Sequence, residues 1–228
     1  MIFYQRVSTS RSQMIDNTVN PMSFLHLRYK IIKKGKTPFN QDKKRIFPMY
    51  SSIWINNAQP DAADIFSRNL RYLLNRVNPR GKPLAFACIG SANVPGDSFG
   101  PLMGTILTRH GLPNVYGTME WPLNAITLPH NMPLLKTVEK KCCLIAIDAA
   151  IGNPAQSGHL TLCRGCIRPG SALNRKLPPI GALHITGVFN SLDNVAALTL
   201  LPTFCHPLTY AILSLQNEAA ISHRPALF

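Results

Sequence analysis

The chain has 228 residues, of which 46% are hydrophobic, and this suits one domain of moderate size with extensions. Its 24 Lys and Arg residues against 10 Asp and Glu residues give a formal net charge of +14, which would be compatible with nucleic-acid binding. Residues 1–50 carry 10 of those basic residues and two of the acids, so the excess charge is concentrated in a tail; such tails are usually solvated, and we expect no dedicated nucleic-acid binding.

The first 58 residues mix aromatic, proline and lysine residues without a sustained period. They are predicted to be a basic, poorly ordered N-terminal extension, 1–58, followed by one domain over 59–228. That domain is predicted to begin with an amphipathic helix over 61–77, because apolar residues recur there at helical spacing. Asp61, directly after Pro60, is a plausible N-cap for this helix.

An alternation of strands and helices follows. Residues 84–89 form a short apolar run closed by Gly90, which is typical of a buried parallel strand. Residues 99–110 have helical spacing, and Gly111 is placed to end that helix. A second strand is predicted over 115–118.

The middle of the chain has one weak segment and one strong one. Residues 124–135 are weakly patterned, and Pro129 and Pro133 predict that no helix runs through them. Residues 142–147 are the clearest strand pattern in the chain, and Asp148 is predicted to lie at the carboxyl end of that strand.

The last part of the chain continues the same alternation. Residues 159–163 and 183–188 read as strands, separated by a loop rich in Pro and Gly over 168–181. Residues 194–216 are apolar enough for a closing helix, which two internal prolines are predicted to bend or split.

Strands that alternate with helices predict an α/β fold in which a mostly parallel sheet is covered on both faces. Binding and catalytic sites in such sheets form outside the carboxyl ends of the strands. Two of the few acids in the chain meet that condition: Asp97, in the loop after the first strand, and Asp148.

The sequence also bears on compartment and cofactors. No stretch of 18 residues is continuously apolar and no compact apolar run follows Arg6, so we expect a cytoplasmic protein with no membrane partner. The six cysteines are then expected to be thiols. Cys163 and Cys166 have metal or redox spacing, but no second pair follows them, and no cofactor is predicted.

Asp97 and Asp148 each have a structural interpretation, as an N-cap and as a turn cap at the end of a strand. The pair favours a chemical one, because an uncompensated carboxylate at the end of an apolar strand is costly. Two carboxyl groups within a few ångströms of each other cannot both ionise easily, so one pKa rises and the pair shares a proton. Such a pair can activate water and protonate a leaving group.

Other polar residues are candidates for the same cleft. His184 lies within a strand pattern and is either a core histidine or a metal ligand or proton carrier. Thr186, Asn190, Arg168 and Lys176 lie in a strand or in loops where they could contact a substrate, although spacing alone assigns them no role. The chain contains no Gly-x-Ser-x-Gly nucleophile turn and no phosphate-binding Walker loop.

Blocks spread over residues 84–190 resemble the YyaC-type sporulation proteins, which are relatives of the germination (spore) protease. The blocks are residues 88–90 with 96–101 (Gly-Asp-Ser-Phe-Gly-Pro), 115–118 (Val-Tyr-Gly-Thr), 145–148 (Ile-Ala-Ile-Asp), and 168–170 with 176–181 and 184–190. The resemblance implies a three-layer α/β/α sandwich of the hydrogenase-maturation-protease and spore-protease type.

The resemblance also implies roles for individual residues. In the germination protease two aspartates in the matching blocks are considered catalytic, and these positions are Asp97 and Asp148 here. In hydrogenase-maturation proteases the matching acids bind a metal together with a later histidine, for which His184 is the analogue. The loop over 91–95 departs from the more polar family sequence.

Three functions follow as expectations. The first is a sporulation-associated peptidase of a spore-forming bacterium, in which Asp97 and Asp148 act on water and the substrate is a peptide or small spore protein. The second is a non-catalytic sporulation protein that keeps the fold as a binding module. The third is a metal-dependent, maturation-type endopeptidase that uses Asp97, Asp148 and His184.

Overall fold

The structure is a computed structural model that describes residues 52–168 and 178–222. These residues form one six-stranded sheet with the strand order β1-β5-β6-β4-β2-β3. The strands are β1 (Ser52–Asn56), β2 (Leu84–Cys88), β3 (Val115–Tyr116), β4 (Cys143–Ile151), β5 (His159–Arg164) and β6 (Leu183–Phe189). The helices are α1 (Ala62–Val77), α2 (Phe99–Arg109), α3 (Leu128–Lys141), a 3-10 helix (Val195–Leu200) and α4 (Leu201–Ser222).

The sheet is mostly parallel, as the sequence predicts. β3, β2, β4 and β6 run in one direction, whereas β5 pairs antiparallel with both β6 and β1. Because two reversals restore the direction, β1 runs the same way as the parallel group. The carboxyl ends of five strands therefore meet at one edge of the sheet, where the amino end of β5 also lies.

Helices cover both faces of the sheet, so the predicted three-layer α/β/α class is confirmed. Side chains of α1, α2 and α4 pack on one face in a core that includes Phe66, Phe99 and Phe204. Side chains of α3, among them Leu128 and Leu135, pack on the other face. Alternation along β4 divides its residues between these cores, with Ile145, Ile147 and Ala149 on the first and Leu144 and Ala146 on the second.

Helix α3 corrects one expectation. The two prolines in residues 124–135 do not prevent a helix, because α3 runs through both of them from Leu128 to Lys141. Pro129 lies in the first turn, where the missing backbone N–H needs no partner inside the helix. Pro133 lies farther in, so the helix forgoes one hydrogen bond there, and burial of Leu128, Met132 and Leu135 against the sheet stabilises it.

The closing helix is divided before its prolines rather than at them. The 3-10 helix ends at Leu200 and α4 begins at Leu201, so Pro202 falls in the first turn of α4 and Pro207 lies inside it. The stretch Val195–Leu215 has the length and hydropathy of a membrane span. One side of this stretch packs in the core, where the ring of Phe204 lies edge-on against the rings of Phe99 and Phe189, with centroids 5.5 and 5.0 Å away.

The N-terminal boundary also differs from the sequence prediction. Ser52–Asn56 forms β1, whose full length pairs with β5, so these five residues belong to the domain and not to an extension. The reason is their alternating pattern, since Ile53 and Ile55 point into the core that covers this face. Residues 1–51, predicted to be poorly ordered, lie outside the described residues.

Candidate functional site

Strand β4 is longer than its apolar pattern suggested. It continues to Ile151, and its last four residues pair with β6, so Asp148 lies inside the strand and not at its carboxyl end. The predicted strand ended at residue 147 because a carboxylate normally ends a buried apolar run. Here the small residues Ala149 and Ala150 let the ladder continue. The side chain of Asp148 is on the sheet face that carries Ala146, opposite the face of Ile147.

The loop that carries Asp97 is pressed onto the end of β2. A Cβ at Gly90, whose φ is +144°, would lie 2.0 Å from the carbonyl oxygen of Asp97. A Cβ at Gly100 would lie 2.0 Å from the carbonyl oxygen of Ile89. Only glycine permits these approaches, and they fix Asp97 over the end of β2, which pairs directly with β4.

Asp97 is not an N-cap. Helix α2 begins at Phe99 with Ser98 as its N-cap residue, and no side chain caps it. Instead, Oδ2 of Asp97 accepts a hydrogen bond of 2.7 Å from the backbone N–H of Ser91, across the loop. This hydrogen bond therefore joins the two ends of the loop, at residues 91 and 97.

Both carboxyl groups are buried: Asp97 is 0% and Asp148 is 3% exposed. Burial raises the pKa of Asp97 to about 7, against the opposing effect of the Ser91 N–H. Burial, and then the negative charge of Asp97, raise the pKa of Asp148 well above its usual range, although Oδ1 of Asp148 accepts a 2.9 Å hydrogen bond from the N–H of Ala149. The two carboxyl groups therefore do not both ionise readily, and near neutral pH the pair retains a proton.

One atom of this pair has no partner. Oδ1 of Asp97 is buried and accepts no hydrogen bond from the described residues. A buried carboxylate oxygen without a donor is costly, by about 1–3 kcal/mol for a neutral group and more for a charged one. A water, a substrate group or the proton of Asp148 would satisfy it.

Hydroxyl groups extend the site across the sheet. Thr186 on β6 is the register partner of Asp148 on β4, and Thr161 on β5 is the register partner of Thr186. Register partners point to the same face, so a row of three buried polar side chains crosses three strands. Asn190 follows β6 directly and is exposed, at the edge where the parallel strands end.

His184 lies on the same face, two residues before Thr186. Its Nδ1 is 3.0 Å from the carbonyl oxygen of Gly165, so Nδ1 carries the hydrogen and donates it. Burial lowers the pKa of His184, and the ring is neutral at pH 7. Its register partners are Ala146 and Cys163 and not Asp148, so one strand repeat separates it from the row of Asp148.

The donors for the metal-dependent alternative do not come together. Among residues 52–168 and 178–222, no three His, Cys, Asp or Glu side chains are arranged to hold a metal ion. Asp97, Asp148 and His184 therefore do not form the three-ligand set that the resemblance implied. All six cysteines, including Cys163 and Cys166, are free thiols, as expected from the sequence.

Arg168 is not brought to the carboxylates. β5 runs antiparallel to β6 and ends at the opposite edge of the sheet, and Arg168 follows Ile167, which bridges to Ile180 shortly before β6 begins. The sequence shows that Arg168 begins a loop rich in Pro and Gly, but it does not show at which edge of the sheet that loop lies. Lys176 lies outside the described residues.

Sequence reasoning missed two members of the site. The backbone of Ser91 contributes its N–H, which no side-chain pattern reveals. Thr161 joins through strand register, which depends on β5 being antiparallel. The alternation of His159-Leu-Thr-Leu-Cys163 indicated that one face of β5 is polar, but not which strand it would meet.

The fold and this geometry define a three-layer α/β domain with two buried aspartates, one inside β4 and one in the loop after β2. Residues 55–204 match the model of a family described as a protein of unknown function, DUF1256, and the chain belongs to that family. It is also similar to the uncharacterized protein YyaC of Bacillus subtilis (strain 168), with 35% identity over 112 residues. That alignment covers 48% of this chain and 55% of the relative, so the chain spans about half the length of the curated relative it matches.

No solved structure matches the chain. The resemblance to YyaC-type proteins inferred from the sequence is thus confirmed. The kinship with spore and hydrogenase-maturation proteases stays a prediction.

Proposed function

We propose that this protein is a peptidase in which Asp97 and Asp148 act as an acid–base pair on water. The observation that carries the proposal is the coupling of two buried carboxyl groups, in which the charge of Asp97 raises the pKa of Asp148. Two acids in one site with pKa values separated in this way supply a base and an acid at the same pH.

The environments of the two acids support separate roles. In this proposal Asp97 is the base, because its carboxylate is held by the Ser91 N–H and its free Oδ1 can accept a proton from the attacking water. Asp148 keeps its proton near neutral pH and can donate it to the nitrogen of the leaving amine. Activity should therefore fall at alkaline pH, where the pair loses the shared proton.

The proposal also includes a class of substrate and a cellular compartment. The resemblance of the sequence blocks to sporulation proteins and to the germination protease supports a peptide or small spore protein as substrate. It also supports the cytoplasm of a spore-forming bacterium, in the forespore or the mother cell, as the compartment. We propose no cofactor, no membrane partner and no dedicated nucleic-acid partner.

Burial of the pair favours a second function, that of a binding protein without catalysis. Neither carboxyl group is accessible, since Asp97 is 0% and Asp148 is 3% exposed. A substrate reaches them only if the loop over 91–97 moves away from the end of β2. If that movement does not occur, the pair is a structural element of a binding module on the same fold.

The deciding experiment incubates the full-length protein with an acid extract of spore proteins and identifies the cleavage products by mass spectrometry. Asp97→Asn and Asp148→Asn should each lower the rate by about 10²–10⁴-fold, the usual contribution of a general acid or base. Asp64→Asn, on the exposed side of α1, is the matched control and should cleave normally. Equal cleavage by all four proteins would refute the pair, and absence of cleavage with retained binding would establish the second function.

A further inference from the structure

The edge where the parallel strands end differs in charge from the rest of the molecule. We call it the carboxyl edge, and it consists of residues 89–98, 117–127, 152–158 and 190–200. These loops hold three acids, Asp97, Glu120 and Asp193, next to Asp148 on β4, and they contain no Lys or Arg. This is unexpected in a chain with a net charge of +14.

The basic residues of the described segments lie elsewhere, on the helices and toward the opposite edge. They are Arg68, Arg71, Arg76, Arg80, Lys82, Arg109, Lys136, Lys140, Lys141, Arg164 and Arg168. The domain is thus divided into a basic body and an acidic carboxyl edge. The exposed charged side chains of that edge, Glu120 and Asp193, are both negative and attract cations that come within about one Debye length (~8 Å at physiological salt).

Apolar side chains are exposed on both sides of the Asp97 loop. On one side, Trp121 and Ile126 are each 75% exposed, in a loop joined to Gly90 by a 3.0 Å hydrogen bond from its N–H to the carbonyl oxygen of Leu123. On the other side, Val195 is 70% exposed, in a segment joined to the loop by the Gly96 N–H and the Leu192 carbonyl oxygen at 2.7 Å. Exposed aromatic and aliphatic groups that flank a polar site are typical of a surface that binds a partner.

A third feature lies between these two apolar segments. Oδ1 of Asp97 is buried and has no hydrogen-bond partner among the described residues. An unpartnered buried oxygen calls for a donor, and a donor group of a bound partner can supply it when the loop over 91–97 moves.

We propose that the carboxyl edge binds an extended polypeptide that carries lysine or arginine beside apolar side chains, with Trp121 and Val195 contacting the apolar groups and Glu120 and Asp193 the cationic ones. This names the class of substrate for the proposed peptidase and rests on that function only for cleavage. Binding stands by itself, because a catalytically inactive variant retains the whole surface.

Charge excludes two other occupants of this surface. Nucleic acids and anionic lipid surfaces both present dense negative charge, which the exposed carboxylates of Glu120 and Asp193 repel. An anionic peptide is disfavoured for the same reason. Each of these therefore serves as a comparison in the test.

The test measures binding of fluorescein-labelled 12-residue peptides to full-length Asp148→Asn protein by anisotropy. The probe is a Gly-Ser peptide that carries four lysines and two leucines. We expect it to bind at least tenfold more tightly than the version with glutamates in place of the lysines, and several-fold more tightly than the version with serines in place of the leucines. Raising the salt from about 50 to 300 mM should weaken binding of the lysine peptide several-fold.

Two single variants test whether the lysine peptide binds at the carboxyl edge. Trp121→Ser and Glu120→Lys should each weaken the lysine peptide by about 3–20-fold. The control for charge is the double variant His110→Lys, Thr137→Lys, which adds the same net charge at exposed positions just after α2 and on α3, away from this surface. It should weaken binding by less than about twofold.

The outcomes separate this inference from the proposed function. Equal binding of the glutamate peptide, or an equal effect of the control, would overturn the proposed surface whether or not the protein cleaves peptides. Tight binding of the lysine peptide with no cleavage by the wild type would support the surface and remove the peptidase. Binding of a DNA duplex or of anionic vesicles that competes with the lysine peptide and is lost in Trp121→Ser would overturn the choice of occupant.

Discussion

The two aspartates are held by different kinds of structure. Asp97 lies in a loop whose backbone N–H groups are not used in the sheet, so that Ser91 can donate to its carboxylate. Asp148 lies inside β4, where most backbone groups are used in pairing with β6. The carboxyl group of Asp148 nevertheless accepts one backbone N–H, from Ala149, as Asp97 does from Ser91, so its raised pKa follows from burial and from the charge of Asp97 and not from the lack of a donor.

The first prediction displaces the loop that carries Asp97 and leaves β4 unchanged. In Gly100→Ala the new Cβ would start 2.0 Å from the carbonyl oxygen of Ile89, so the loop or helix α2 must shift. We expect the free energy of unfolding to fall by about 3–5 kcal/mol, the range of severe packing defects. Urea unfolding followed by circular dichroism measures it.

Gly111→Ala is the control for that variant. Gly111 also has a positive φ, +76°, but nothing lies within 4 Å of the position of its Cβ. It should cost only about 1 kcal/mol, the usual penalty for a side chain in this backbone conformation. If both variants lose the same amount, close contact between the loop and β2 does not position Asp97.

The pH dependence of stability compares the two acids directly. The pKa of Asp97 rises from 3.8 to about 7 on folding, so its stabilising contribution is complete below about pH 4 and is lost as the pH rises through 7. That difference corresponds to roughly 4 kcal/mol between pH 4 and pH 8. The direction for Asp148 is the same, so its stabilising contribution is also lost as the pH rises, and the two losses add.

Asp97→Asn tests this assignment. The amide has no charge to bury and its oxygen can still accept the Ser91 N–H, so the decline in unfolding free energy between pH 4 and pH 8 should become smaller by roughly 4 kcal/mol, and the decline that remains belongs to Asp148. Asp64→Asn, which changes an exposed carboxyl group, should retain the decline of the wild type. A decline that persists unchanged in Asp97→Asn would place the titrating group elsewhere.

Much of the fold followed from the sequence, and the exceptions have physical reasons. The period of the apolar residues predicted five of the six strands and all the flanking helices except α3, since burial of Leu128 and Leu135 outweighs the cost of Pro133. Strand β1 was missed because a five-residue alternation is a weak signal beside a long basic segment. The antiparallel direction of β5 depends on how the chain returns to β6, which local periodicity does not encode.

The candidate site was predictable to a smaller extent. The rule that sites form at the carboxyl ends of strands selected Asp97 and Asp148; the structure buries both, and the charge of Asp97 is one cause of the raised pKa of Asp148, while their role stays a prediction. Thr186 was selected as well and is the register partner of Asp148. Arg168 follows β5, which runs antiparallel to β6 and so ends at the opposite edge of the sheet, and local sequence patterns do not reveal that direction. Ser91 was missed because it contributes its backbone N–H and not its side chain.

A third prediction concerns Thr186 on β6, the register partner of Asp148. Thr186→Val removes a hydroxyl group beside Asp148 while keeping its shape, which makes the surroundings of that carboxyl group more apolar. Peptidase activity, measured as kcat/KM, should fall by less than about tenfold, since the hydroxyl modulates the acid but does not replace it. Thr161→Val lies in the same row one strand farther away and should have less effect. An equal or larger effect at Thr161 would show that the row does not act through Asp148.

The smallest expected effect concerns metal removal. Two carboxylates without a histidine hold a soft divalent metal poorly, and His184 lies one strand repeat from the row of Asp148, with its Nδ1 bound to Gly165. We therefore expect peptidase activity to be unchanged after the protein is treated with EDTA and dialysed, and unchanged again when zinc or nickel is added. Activity that is lost on chelation and restored by one of these metals would overturn the proton-sharing pair. The metal content of Asp148→Ala and His184→Ala would then identify the ligands, because a maturation-type site requires both variants to lose the metal.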